Sequence, residues 1–312
     1  MRMKSGRHWN IAIVGAGKVG SVLGRLLVEN GQKIACVVSR SESSARKAGK
    51  FLKCKRVSTS LDSIPPTIDV IFISTPHGAI RTVANDLARL ENLEFARLSA
   101  CHASGMLTAD ALEPLRRRGA TVFSFHPLQT FPRDFEPRDI VKNVRGIYYG
   151  VDGSLAALKM AKLLARKVGG KVIEINPEMR AFYHAACVVA SNHITAMLSI
   201  LESMFQTLCT TEKKFYPVFK PIVNATLNNI EFTSPTKALS GPVARGGVET
   251  VADHFASIEK YRPDLIPYFV SLSLETLKLA ESKGSVKDVQ AVALRTLFQS
   301  YLKKDSQLQV KH

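Results

Sequence analysis

The run Ile11-Ala12-Ile13-Val14-Gly15-Ala16-Gly17-Lys18-Val19-Gly20 ends an apolar strand in glycines and passes directly into an amphipathic segment, Ser21 to Glu29. Strand, tight turn and helix in that order open a βαβ unit, which commits the chain to a sheet with parallel neighbours. Each glycine has its own physical task. Gly15 permits the turn, Gly17 lets the backbone approach a pyrophosphate, and Gly20 lets helix and strand pack closely. The first helical amides and the helix dipole stabilise negative charge, so Gly15, Ala16, Gly17, Lys18, Val19 and Gly20 are candidate dinucleotide ligands.

The next strand, Ile34 to Val38, runs out at Ser39-Arg40-Ser41. An acid there would accept a hydrogen bond from a ribose hydroxyl but repel a 2′-phosphate. Ser39, Ser41 and Ser44 can instead donate to such a phosphate, and Arg40 can pair with it and lie flat against an adenine. The expected cofactor is therefore NADP(H), against the plainer reading of a solvated turn.

Short apolar strands and helices keep alternating: Val70 to Ile73, a helix from Ile80, Phe95 to Ala100, a helix over Ala109 to Arg117, Thr121 to Phe125, Gly146 to Val151, a helix over Leu155 to Lys167, and Lys171 to Ile175. That alternation predicts an α/β domain with a mostly parallel sheet. Beyond Pro177 strand patterning stops, and Glu178 to Leu208, Phe219 to Ile230, Pro263 to Ser282 and Val286 to Lys303 carry helical periodicity. The expected domains are a dinucleotide-binding unit over 1–176 and an all-helical unit over 177–312.

At 312 residues, 46% hydrophobic, the chain is long enough for two such domains. The five cysteines, Cys36, Cys54, Cys101, Cys187 and Cys209, are odd in number and scattered, which suits a reducing compartment; no Cys/His spacing suggests a metal. Met1 to His8 is basic but lacks the apolar core of an export signal, so a cytoplasmic protein is expected. The stretch Ala185 to Phe205 is interrupted by Ser191, Asn192, His193 and Glu202, which points to a buried helix and not a membrane span. The net charge of +17 is dispersed, with no run of five basic residues. It fits a field that draws in an anionic cofactor and substrate better than a nucleic-acid surface.

In a sheet of this type ligands sit beyond the carboxyl ends of the strands. Thr75 and Pro76 are expected to border the nicotinamide and its ribose, with His77 a capping residue. His102 and His126 each read equally as loop supports or as substrate contacts. Ser104-Gly105 can expose a hydroxyl and amides to a reacting carbonyl, or form a plain turn. On the helix after Pro177, at about 100° per residue, His184, Ser191 and Thr195 share one line with Asn192 beside it. His184 is the candidate proton donor and Asn192 a candidate for orienting a carbonyl, each with a structural alternative. Ala181, Ala185, Ala186 and Ala190 let another backbone come close. The loop Ser240 to Gly247, with Arg245 and Gly246, is a candidate carboxylate site or an interhelical loop with a solvated arginine.

Six segments in order (IAIVGAGKVG, VVSRS, His102 to Gly105, FHPLQTF, YHAACVVASN and GPVARGG) resemble a family of NADP-dependent oxidoreductases in which a Rossmann-like domain precedes a helical domain of unknown function. The resemblance implies a C-terminal domain of the 6-phosphogluconate dehydrogenase type, related to that of pyrroline-5-carboxylate reductase, with subunits pairing through it as a homodimer. Some members resemble an alternative ketopantoate reductase. The 6-phosphogluconate dehydrogenase group places a catalytic lysine four residues before an asparagine; here Val188 precedes Asn192, which leaves His184, His126 or water as the acid. The resemblance also implies Asp where this chain has Gly247. The reading is an NADPH-dependent reductase of a small anionic carbonyl compound, a 2-oxo acid of the ketopantoate kind. The alternatives are a cyclic imine reductase and a non-catalytic NADP(H) sensor.

Overall fold

The computed structural model describes residues 8–208 and 211–309, with side chains described as far as residue 303. The readings of Cys209 and of residues 1–7 lie outside the described residues. β1 (Asn10–Val14) leads into α1 (Lys18–Glu29), β2 (Lys33–Val38), α2 (Glu42–Phe51), β3 (Val57–Ser58), β4 (Val70–Ile73), α3 (Ile80–Ala88), β5 (Ser99–His102), α4 (Glu113–Arg117) and β6 (Thr121–Ser124). These six strands pair in parallel in the order β3-β2-β1-β4-β5-β6. The order reverses at β1/β4, which opens a crevice at their carboxyl ends. Alternation along β1 explains how both faces are covered. Ile11 and Ile13 join Leu23 and Leu26 of α1 in one apolar cluster, while Ala12 and Val14 join Ile80 and Ala84 of α3 in the other.

β7 (His126–Pro127), α5 (Pro137–Val141), β8 (Tyr148–Val151), α6 (Leu155–Lys167) and β9 (Lys171–Glu174) follow. Their strands form a separate sheet, with β7 antiparallel and β9 parallel to β8. The expected strand from Phe95 starts later. Phe95–Arg97 is a 3-10 turn, because β5 pairs residue for residue with the four residues of β4, while Phe95 turns into the core with the Arg118 guanidinium 4.4 Å over its ring.

Among the described residues the chain beyond β9 is helical: α7 (Arg180–Val188), a π turn over Val189–His193, α8 (Ile194–Leu208), α9 (Phe215–Phe232), α10 (Pro235–Ala238), α11 (Val248–Tyr261), α12 (Ile266–Lys283) and α13 (Asp288–Gln309). The helical unit has its own core around Phe255, Val270, Leu294 and Phe298. The compact units divide at His193/Ile194, later than the change of pattern at Pro177. Arg180 is the reason: it is 2% exposed and pairs with Asp152 at 3.1 Å, which binds α7 to the α/β unit.

The expectation of a buried apolar helix is corrected. Pro177–Leu208 is the one candidate span among the described residues, and its most apolar 18-residue stretch has mean hydropathy 1.4 with no residue buried within the chain. Phe182 is 71% and Val189 56% exposed. Amphipathic periodicity records that an apolar face exists, not what covers it.

Candidate active site

The turn after β1 is built as the glycines require. Gly15 has φ +102°, and a Cβ there would come within 2.7 Å of the Ser74–Thr75 peptide. A Cβ on Gly20 would collide with the Gly15 carbonyl oxygen, whereas one on Gly17 would meet nothing within 4 Å. Gly15 N–H donates to Val38 O at 2.8 Å and Ser74 Oγ donates to Gly15 O at 2.7 Å, which ties the turn between β2 and β4. The first amides of α1, capped by Gly17 without a side-chain hydrogen bond, remain available to a ligand. Beside them lies a cleft of about 470 Å³ whose lining includes Ala16, Lys18, Ser44 and Lys47. Thr75 Oγ1 is buried with no hydrogen-bond partner among the described residues. Open space at Gly17, a cation at Lys18 and an unmatched hydroxyl at Thr75 fit a nicotinamide dinucleotide.

At the end of β2, Ser41 caps α2, accepting from Ser44 N–H at 3.4 Å and donating to Ser44 Oγ at 2.9 Å. Arg40 is exposed, and Ser39 is partly buried. Glu42, next in sequence after this turn, is held by Arg46 one helical turn on.

Farther along the carboxyl edge of the sheet, two histidines converge on Gly105. A Cβ at that glycine would lie 2.9 Å from His126 Nε2 and 3.1 Å from His184 Nε2. A Cβ there would also collide with His184 Cδ2, so the missing side chain is what lets both imidazole rings pack against Gly105. The rings sit 6.1 Å apart. His126 Nδ1 is 2.7 Å from the Tyr183 hydroxyl. Burial, then the Arg180 cation, then His184 and His102 push His126 down to about 4, so it is a neutral imidazole at pH 7. The Arg180 guanidinium donates to the carbonyls of Gly105 and Ser104, each at 2.9 Å, and to Asp152 at 3.1 Å. Asp152 also accepts from Ala109 N–H and the Ser124 hydroxyl, so this buried carboxylate is fully partnered.

Other candidates have structural work. His102 is fully buried; Ser104 N–H donates to its Nδ1 at 3.2 Å and its Nε2 donates to Thr108 O at 2.9 Å. That pattern fixes a neutral imidazole supporting the loop, and burial pushes it down to about 4. Ser104 Oγ accepts from the amides of Met106 and Leu107 and lies 3.1 Å from His77 Nδ1, so its hydroxyl is occupied by its own turn. Pro76, exposed, begins the short turn that carries His77. Asn192 falls inside the π turn, where one extra residue displaces later positions by about 100° from the α-helical count. It is exposed, accepts from the Ser191 hydroxyl at 2.8 Å, and is not brought to either histidine. In the 240–247 loop the amides of Arg245, Gly246 and Gly247 are taken by carbonyls of Gly241, Pro242 and Val243, so an anion there could be met by the exposed Arg245 side chain and not by these amides. Gly246 has φ +67° and packs against Gln290.

Sequence reasoning missed Tyr183, Arg180 and Asp152. The available signal was one arginine at the start of an otherwise apolar helix and one aspartate closing an apolar strand.

Residues 3–127 match the family model of a Rossmann-like domain, and residues 147–276 that of a domain of unknown function, DUF2520. Among solved structures, the chain is similar to a protein from Bacteroides fragilis provisionally described as an NADP oxidoreductase, with 20% identity, TM-score 0.68, and 87% of this chain and 98% of that one covered. A protein from Thermotoga maritima is 24% identical, with TM-score 0.68 and coverage of 88% and 99%. A pyrroline-5-carboxylate reductase from Coxiella burnetii is 16% identical, with TM-score 0.58 and coverage of 90% and 100%. At these identities the likeness is one of fold. A glutamyl-tRNA reductase from Picosynechococcus sp. is 36% identical over 104 residues, 31% of this chain, and the match spans 23% of that enzyme's length.

Proposed function

The chain is a Rossmann-like domain followed by a DUF2520 domain, and from that pairing we propose that it is an NADP(H)-dependent reductase of a small anionic carbonyl compound, a 2-oxo acid of the ketopantoate kind. The observation that carries the reading is the convergence of His126 and His184 on Gly105, at the carboxyl edge of the sheet that holds the dinucleotide turn. Bound NADPH supplies a hydride. His126, neutral, donates a hydrogen bond to the carbonyl oxygen, and His184 delivers the proton that oxygen needs. Arg245 is the candidate anion ligand of the helical unit by itself. The Ser39-Arg40-Ser41 turn, with its neighbouring acid already paired, supports NADP(H) over NAD(H).

A cyclic imine is the second reading. It is favoured by the neutrality of His126 and by the absence of lysine between Lys171 and Lys213, because a protonated imine brings its own proton. NADPH oxidation over a panel of 2-oxo acids and cyclic imines tests both. Carbonyl reduction loses rate as the acid deprotonates, and imine reduction follows substrate protonation. Binding of NADPH without turnover of any panel member sinks the catalytic reading in favour of a sensor. Full turnover by His184→Ala removes His184 as the donor.

A further inference from the structure

We propose that Tyr183 is a positioning residue that locks His126 in the Nε2–H tautomer, so that the resting protein presents a ready hydrogen-bond donor beside Gly105. The proposal deepens the reading of His126 as a donor to substrate and rests on it for its catalytic consequence.

The geometry is built from three elements. β7 carries His126, β8 carries Gly150 directly across from it in the antiparallel register, and α7 brings Tyr183 down onto the pair. A Cβ on Gly150 would collide with the Tyr183 hydroxyl and ring, so the absence of a side chain there is what admits the phenol. The Tyr183 and His126 rings meet edge to face, 5.7 Å apart at 89°, and the Arg180 guanidinium sits 5.2 Å from the Tyr183 ring centroid. The phenol is thus held between a cation, a glycine and an imidazole, with its oxygen 2.7 Å from Nδ1.

Two proton arrangements satisfy that contact, and chemistry separates them. A phenol is a stronger acid than a neutral imidazole N–H, and an imidazole nitrogen is a better acceptor than a phenol oxygen or a thiol sulfur. The favoured arrangement has Tyr183 O–H donating to Nδ1. The Cys187 sulfur beside the phenol is the weaker competing acceptor, and it too pushes the phenol up. Burial pushes the Tyr183 phenol up, so it keeps its hydrogen across the working pH range. The groups facing His126 are Arg180, His184, His102 and Tyr183; the first three disfavour its cation. With Nδ1 occupied as an acceptor and the ring neutral, its one hydrogen is on Nε2, the atom that faces Gly105.

The test is long-range proton–nitrogen correlation spectroscopy of histidine-labelled full-length protein at neutral pH, with His126 assigned by its loss in His126→Asn. The expected wild-type spectrum shows a pyridine-type Nδ1 and a pyrrole-type Nε2. In Tyr183→Phe, and in Gly150→Ala, which displaces the phenol without removing it, the two nitrogen resonances move toward each other as both tautomers populate. A wild-type His126 protonated on Nδ1, or one unchanged in both variants, overturns the proposal. Turnover in Tyr183→Phe falls roughly tenfold in kcat, with the KM for NADPH unchanged. Undiminished turnover in His126→Asn would refute the donor reading of His126, while the spectra still decide the tautomer.

Discussion

At the scale of single residues, burial keeps two imidazoles neutral. His102 and His126 are both held down to about 4 from an ordinary value of 6.5, so between those values the unfolded chain binds protons that the native chain refuses. Stability is fully present above pH 6.5 and is lost as pH falls toward 4. His102 alone contributes a loss on the order of 3 kcal/mol, at about 1.4 kcal/mol per unit. Urea midpoints at neutral pH and near pH 4.5 measure it, and a flat profile would contradict the burial of these rings. Arg40 gives a second prediction. Arg40→Asp replaces a phosphate ligand with a like charge and should weaken NADPH roughly 100-fold while changing NADH by less than about threefold. Fluorescence titration of both nucleotides checks it, and equal losses would mean that Arg40 does not read the 2′-phosphate.

Secondary-structure elements separate what local pattern reveals from what it hides. β4 and α6 stand where periodicity puts them, Val70–Ile73 and Leu155–Lys167, because each makes an unbroken apolar face. The glycine turn was equally legible, since a positive φ and a steric limit restrict residue type at the position itself. This distinction can be measured. Gly20→Ala drives a methyl into the Gly15 carbonyl and should cost about 1–3 kcal/mol of stability along with dinucleotide affinity. Gly17→Ala meets open space, so stability should stay within about 1 kcal/mol while dinucleotide binding drops. Thermal denaturation with and without NADPH separates the two, and a destabilised Gly17→Ala would refute the assignment of that space to ligand. The π turn and the Arg180 contacts were not legible. One extra residue in a helical turn leaves little trace in a period, and the partners of Arg180 lie 28 to 76 residues away in the chain.

For the molecule as a whole, the exposed apolar surface is a cost that a covering partner would remove. Phe182 and Val189 on the long helical run and Ile222 and Phe232 on α9 are each more than half exposed, an arrangement that a single chain in water leaves costly. We propose a second copy of the chain as the occupant, on the strength of the small-residue helix and the family resemblance. Light scattering should give twice 34.2 kDa, and Val189→Glu should shift the species toward one chain. A monodisperse 34.2 kDa wild-type protein would sink that assembly.

The buried arginine bears on how such chains are inherited. Asp152 and Arg180 both fall in the 147–276 match, whereas the groups they engage fall in the 3–127 match: the Ser104 and Gly105 carbonyls, the Ala109 amide and the Ser124 hydroxyl. Three of those four are main-chain atoms, which any sequence supplies. Plug and socket can therefore diverge independently in side chains and still fit after recombination between lineages, provided the socket loop keeps its shape and one small hydroxyl.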